Sequence, residues 1–234
     1  GARLISKKNM KILNLQSKLL EKTQLNETAY ELKYEVPPEF SFMPGQFVSI
    51  RVIPTHTRAY SIIDVKDGKL ILLVDVKPMG IASRYFLETK VGDVLNILGP
   101  YGVFGVKETD FNKVFIATGS GAAPFVPMIQ YVLNTRPNLE VEMFFGCRFL
   151  KDDFAHIYFD KFLPNPNFSY TSCVTKPEGN SMPHELGRVT EVIPKRNYDW
   201  INTEFYICGS KEMVQDMSDI LKKNGAEKIY FEKY

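Results

Sequence analysis

The hydrophobic pattern changes its period near residue 110, and that change restricts the chain to a two-part architecture. From Met10 to Phe104 apolar and polar residues alternate. Tyr30, Leu32, Tyr34 and Val36 are interleaved with Glu31, Lys33 and Glu35, the period-two signature of a half-buried strand. Phe47–Val52, Ala59–Asp64 and Leu70–Val76 continue it, punctuated by turn signals at Pro37-Pro38, Pro44-Gly45, Asp67-Gly68 and Gly92-Asp93. Short strands at such spacing predict an antiparallel sandwich or barrel. Beyond Asp110, Lys113–Thr118 reads as a short buried strand, followed by glycines and then by Phe125, Met128, Ile129, Val132 and Leu133 on one helical face. Glu140–Gly146, Phe168–Val174, Phe205–Cys208 and Lys228–Phe231 are further strand candidates, and Met213, Val214, Met217, Ile220 and Leu221 mark a second amphipathic helix. This alternation predicts a doubly wound α/β parallel sheet with right-handed crossovers. The boundary is expected within 105–111, giving domains over 10–106 and 111–234.

Composition excludes several classes. Lys+Arg 29 against Asp+Glu 27 leaves a formal charge of +2, and the basic residues are scattered, so no nucleic-acid footprint is present. Cys147, Cys173 and Cys208 lie far apart, which argues against a disulfide framework, a zinc site or an iron–sulfur centre within this chain. Apolar runs fall far short of the ~20 residues of a membrane-spanning helix, so no span is expected. Gly1-Ala2-Arg3 offers neither an initiator methionine nor the apolar core of a signal peptide. Gly1-Ala2 reads as an appended pair, Met10 as a candidate start, and the cytoplasm as the expected compartment.

Three segments carry candidate chemistry. Thr118-Gly119-Ser120-Gly121-Ala122-Ala123-Pro124 lies at the carboxyl end of the first parallel strand, where glycines let a backbone approach a phosphate and a following helix offers amides and a positive dipole end. Pro124 suits the first turn of that helix, and its place where a dinucleotide fingerprint has its third glycine sets this loop apart from an ordinary Rossmann site. A plain strand-to-helix turn explains the loop equally well. Arg58 and Tyr60 alternate on one strand and share a face, a cation beside a flat aromatic surface. Pro78-Met79-Gly80-Ile81-Ala82-Ser83 is a second candidate anion loop, with Ser83 and the amides of Ile81 and Ala82 at the start of a short helix.

In combination these segments resemble the ferredoxin–NADP reductase superfamily over nearly the whole chain. Arg58-Ala59-Tyr60-Ser61 is similar to its RxYS motif, Gly80–Ser83 to its pyrophosphate loop, and Gly99-Pro100-Tyr101-Gly102-Val103-Phe104 to its GPxGxF segment. In the second half, 118–124 resembles TGxGxxP, Phe145-Gly146-Cys147-Arg148 the aromatic-Gly-x-Arg element, and Cys208-Gly209-Ser210-Lys211-Glu212-Met213 the CGxxxM element. The resemblance implies an antiparallel FAD-binding barrel followed by an NAD(P)-binding α/β domain, in an enzyme that moves hydride and electrons between NAD(P)H and a separate carrier. Arg58 would pair with an FAD phosphate, Tyr60 lie against the isoalloxazine, and Ser61 bond near N5, with Ala59 between them. Leu72, Leu73, Val74 and Gly80, Ile81, Ala82, Ser83 would carry the ribityl, adenosine and pyrophosphate portions. Thr118, Gly119, Gly121 and Pro124 would hold the nicotinamide nucleotide, with Gly146, Arg148, Gly209 and Met213 contributing and Cys208 beside the reacting ring. Tyr234 would cover the flavin, with Phe231 as its rival, and Glu232 would help balance proton or charge.

The same resemblance leaves two other activities open: reduction of free flavin as a substrate, and service as an electron-transfer subunit of a larger complex. The expected partner is a separate ferredoxin, flavodoxin or oxygenase component. Arg148 and Lys176 are candidates to meet a 2′-phosphate, but Glu178 beside Lys176 opposes one, so NADH and NADPH both stand.

Overall fold

Alternation of apolar residues rolls the first half into a closed barrel. The computed structural model describes residues 10–77, 79–179 and 182–234; Pro78 and the Gly1-Ala2-Arg3 start therefore lie outside the described residues. Contacts divide the chain into two units between Val106 and Lys107.

In the first unit the strands are β1 (Leu13–Gln24), β2 (Ala29–Glu35), β3 (Phe47–Ile53), β4 (His56–Lys66), β5 (Lys69–Asp75) and β6 (Val94–Tyr101), with helix α1 (Ile81–Glu88) between the last two. They close antiparallel in the order β1-β2-β5-β4-β3-β6. Closure removes free strand edges. The inward positions Leu32, Tyr34, Val48, Ile50, Ile62, Leu70, Leu72 and Ile97 are all fully buried, each such aliphatic side chain contributing about 1.5–3 kcal/mol. Asp67-Gly68 makes the β4–β5 hairpin: both residues have positive φ, 51° and 72°, between the paired Lys66 and Lys69. Two-residue turns of this hand match the strand twist.

The second unit is a parallel sheet of β7 (Asn112–Thr118), β8 (Val141–Cys147), β9 (Phe168–Val174), β10 (Glu185–Leu186), β11 (Thr203–Gly209) and β12 (Lys228–Lys233), ordered β10-β9-β8-β7-β11-β12. Helix α2 (Phe125–Thr135) packs on one face, where Phe125 meets Phe115 at 5.1 Å. On the other face α5 (Lys211–Lys223) buries Val214, Met217 and Leu221 against Ile116, Phe144 and Ile207. Two single-turn helices, α3 (His156–Phe159) and α4 (Val189–Val192), complete the layers. This is the doubly wound arrangement that strand–helix alternation demands.

A buried ion pair fastens the amino-terminal ends of the two central strands. Lys113 Nζ of β7 lies 2.7 Å from Glu204 Oε2 of β11, with both side chains sealed from solvent. Tyr206 Oη donates to the same carboxylate at 2.6 Å and itself accepts from Lys107 N at 2.9 Å, while Thr109 Oγ1 donates to Glu204 Oε1. Burial pulls the Lys113 ammonium's pKa down, and Glu204 opposes that pull. Glu204→Ala is expected to destabilise the protein by about 3–5 kcal/mol, because an unpaired ammonium stays buried. The paired exchange Lys113→Met with Glu204→Leu should recover most of that loss in urea unfolding.

Candidate functional site

In the barrel the site grows from a gap in the strand ladder. The segment 58–61 of β4 pairs with β3, from Arg58 opposite Ile50 to Ser61 opposite Phe47. The ladder between β4 and β5, however, begins only at Ile62 opposite Leu72. Arg58 and Tyr60 share a face, as their partners Ile50 and Val48 do, while Ala59 and Ser61 take the other. A planar ligand lying along this open edge would therefore meet Tyr60 on one side and Ser61 on the other. Tyr60 packs edge-on against Phe86 of α1 at 5.2 Å, and burial pushes its phenol up to about 12. Arg58 is exposed; its Nη1 donates to Thr57 O at 2.9 Å, and no carboxylate among the described residues forms an ion pair with it.

One expectation about this half needs correction. Ser83 is no cap: Gly80 occupies the N-cap of α1 without a side-chain bond, and Ser83 is a buried residue inside the helix. Leu72 and Val74 belong to the barrel core, and Leu73 is 2% exposed. The first turn of α1 has no side-chain cap and no acidic residue, which fits an anion there. Gln46 was missed altogether. Its Oε1 accepts from Met43 N at 2.8 Å and its Nε2 donates to Gly102 O at 3.3 Å, joining the Pro44-Gly45 turn to the 99–104 segment.

In the sheet the strand order reverses between β7 and β11. Crevices outside the carboxyl ends at such a reversal are where α/β sheets bind ligands. Thr118-Gly119 ends β7 on one side of it and Cys208-Gly209 ends β11 on the other. The glycines here answer to close approach. A Cβ on Gly121 would collide with the carbonyl oxygen of Cys208 and stand 2.6 Å from its carbon. One on Gly209 would stand 2.7 Å from Thr118 Oγ1 and collide with Met213 Cε, and one on Gly146 would stand 3.0 Å from Thr118 Cγ2. The loop differs from expectation in one respect: Gly119–Ala122 forms a turn of 3-10 helix, so α2 starts at Phe125 and Pro124 precedes it. Neither helical start has a side-chain cap or an acidic first turn. Ser210, unremarked in the sequence, caps α5 by accepting from Met213 N at 3.2 Å.

Cys208 is buried at 3% exposure, and burial, with Glu232 beside it, drives its thiol well above the ordinary range. Glu232 stands opposite Cys208 in the β11–β12 register, and burial raises its carboxyl as well. Tyr234 spans the crevice: its N donates to Gly209 O at 3.2 Å and its Oη to Thr118 O at 3.1 Å. Phe231 instead pairs with Ile207, inside the strand. Arg148 starts the loop after β8 with its guanidinium 5.2 Å from the Phe149 ring, and its carbonyl accepts from Lys176 N at 2.8 Å. That loop is anchored by Asp153, which is 3% exposed and accepts from Tyr170 Oη at 2.8 Å and Ser172 Oγ at 2.5 Å.

Residues 16–105 match the oxidoreductase FAD-binding domain and residues 115–219 the oxidoreductase NAD-binding domain. The chain is 30% identical over 219 residues to the toluate 1,2-dioxygenase electron transfer component of Pseudomonas putida, covering 90% of this chain and 65% of that protein. It resembles in fold an Amycolatopsis cytochrome P450 reductase, with a TM-score of 0.87 and 23% identity over 96% of this chain and 71% of that one. A ferredoxin NADP+ reductase from Neisseria gonorrhoeae with bound FAD and NADP aligns with a TM-score of 0.77 and 21% identity, over 96% of this chain and 99% of that one. The chain spans 65%, 57% and 56% of the length of three curated relatives it matches. An FAD-binding barrel followed by an NAD-binding sheet defines a nicotinamide- and flavin-dependent oxidoreductase. The chain belongs to the oxidoreductases that join an FAD-binding domain to an NAD-binding domain, and it has the fold of the ferredoxin–NADP reductases. Among the described residues no helix is long and apolar enough to cross a membrane.

Two expectations about stability follow from this geometry. Gly121→Ala should cost about 1–3 kcal/mol by overpacking and should weaken nicotinamide-nucleotide binding, read by calorimetry of unfolding and by nucleotide titration. The His156 imidazole is raised to about 9, chiefly by its bond to Asp153. Its stabilising effect should be full below the ordinary imidazole pKa of about 6.5 and fade as pH climbs through about 9. The Tm gap between the wild type and His156→Ala should accordingly close between neutral and alkaline pH.

Proposed function

We propose that the chain passes electrons from NADH or NADPH, by way of FAD, to a separate acceptor protein: a ferredoxin, a flavodoxin or an oxygenase component. The observation that supports this reading best is the reversal of strand order between β7 and β11, at whose carboxyl ends Gly121, Gly146 and Gly209 let neighbouring segments approach with no side-chain bulk between them. The Pseudomonas relative, named as an electron transfer component, supports the same direction. When bound, FAD supplies the capacity to take up a hydride and release electrons singly or in pairs.

The barrel's residues fit that cofactor. Arg58 offers guanidinium donors to a phosphate. The first turn of α1, Ile81–Ser83 behind Gly80, offers amides to the pyrophosphate. Tyr60 gives a face to the isoalloxazine, Ser61 a hydroxyl near N5, and the backbone of Leu72–Val74 borders the ribityl and adenosine portions. In the sheet, Thr118, Gly119, Gly121 and Pro124 cradle the nicotinamide nucleotide, with Gly146, Arg148, Gly209 and Met213 around them. Cys208 stays a neutral thiol and leaves room for the ring. Glu232, whose carboxyl burial raises, helps balance proton or charge. Tyr234, more than Phe231, stands where nucleotide must enter, so its side chain moves aside when nucleotide binds.

Free thiols at Cys147, Cys173 and Cys208 support a reducing compartment, the cytoplasm. The deciding experiment is an anaerobic titration of the purified protein by NADH and then NADPH, followed by visible absorption. Flavin bands that bleach with one nucleotide are expected; a colourless protein that takes up no FAD would sink the reading. Flavin lost on gel filtration, with turnover of added FMN, would mark free flavin as the substrate. Ser61→Ala should retain FAD and slow flavin reduction by about tenfold, the worth of one hydrogen bond; an unchanged stopped-flow rate would remove Ser61 from the assignment.

A further inference from the structure

We infer that Lys22 is the positioning residue that holds α1 with its first turn aimed at the flavin pyrophosphate. The inference rests on the proposed role of Ile81–Ser83 and goes on to say what sets that turn in place. Lys22 is remote in sequence, on β1, yet its ammonium donates to Phe86 O at 2.7 Å, Leu87 O at 3.0 Å and Thr89 O at 2.9 Å. An ammonium has three protons to give, and each finds a carbonyl at the carboxyl-terminal end of one helix. These are the groups that a helix leaves unpaired, and a cation there also meets the negative end of the helix dipole. The same ammonium lies 5.2 Å from the centre of the Tyr30 ring. Asp93 is the acidic group whose charge reaches it.

The helix needs such a clamp. It has eight residues, about 12 Å of helix, and isolated helices so short are marginal in water. No residue caps its amino-terminal end by a side chain, and no basic residue of its own stands in its last turn. Ser83 and Phe86 are buried, and Ala82 and Tyr85 pack against the same barrel core. Such apolar contacts are non-directional; the three bonds from Lys22 fix where the carboxyl end points. Removing the ammonium frees that end to shift on the core, and the amides of Ile81–Ser83 shift with it.

Full-length protein stripped of flavin is titrated with FAD and with riboflavin, which lacks phosphate, for the wild type, Lys22→Met and Lys22→Arg. The wild type should prefer FAD. Lys22→Met should lose about tenfold in FAD affinity, the scale of hydrogen bonds to a charged group, with riboflavin affinity unchanged. Lys22→Arg should restore most of the preference. Parallel losses for both ligands would overturn the inference, since they would mark Lys22 as a general prop of the barrel. A preference for FAD kept intact in Lys22→Met would overturn it alone and leave the pyrophosphate site standing. A wild type that binds riboflavin as tightly as FAD would overturn the pyrophosphate site and this inference with it. Should Lys22→Met not fold, Lys22→Gln is read in the same way.

Discussion

The second unit depends on how closely the turn after β7 lies on the end of β11. Only hydrogen at Gly121 permits it, since a methyl group would meet the carbonyl of Cys208. The contact does two things at once. It seats the 119–122 turn on the neighbouring strand, and it leaves Thr118 between Gly146 and Gly209 with little side-chain bulk on either flank. At the opposite end of the same strand pair, Lys113 and Glu204 fix the register from within. A buried pair of this kind adds little net stability over an apolar substitute. Its use lies in the penalty for any shifted alignment, which would strand a charge. Strand ends held at both extremities make the crevice a fixed feature of the sheet.

The barrel reaches a similar result by omission. Its wall is closed everywhere except where β4 has left β5, and the exposed residues of that stretch, Arg58 and Ala59, lead to half-buried Tyr60 and Ser61. That stretch presents a cation, an aromatic face and a hydroxyl within one short segment, on a strand edge that is open to approach. α1 adds the positive end of a helix, and its own attachments, Phe86 in the core and Lys22 at its end, are made to parts of the barrel far away in sequence.

Much of this was legible from local pattern. The change of period marked the two architectures, because side chains alternate across a strand but return every three to four residues on a helix. Asp67-Gly68 named its own hairpin, since both residues tolerate positive φ. The motifs around Gly121, Gly146 and Gly209 fall at the carboxyl ends of strands, although the reason for each glycine, contact with a neighbouring segment, belongs to the tertiary structure. What escaped the sequence was made by long-range contact. Lys22, Gln46 and the Asp153 cluster meet partners 64, 56 and 19 residues away, respectively, and nothing in their neighbourhoods announces it. Ser83 misled for a related reason: the motif marks the start of a short helix but not which residue caps it.

The arrangement of strands also bears on how the protein behaves in a crowded solution. A closed barrel leaves little unpaired backbone, here the short 58–61 edge of β4, so the first unit offers only a small template for another chain. The parallel sheet has two flanks. One is β10, only two residues long; the other is β12, which carries Lys228, Glu232 and Lys233 along its six residues. A short flank gives little to pair with, and charged side chains on an edge strand disfavour its pairing with another chain. Even in concentrated solution, then, the sheet is guarded against zipping edge to edge with a copy of itself.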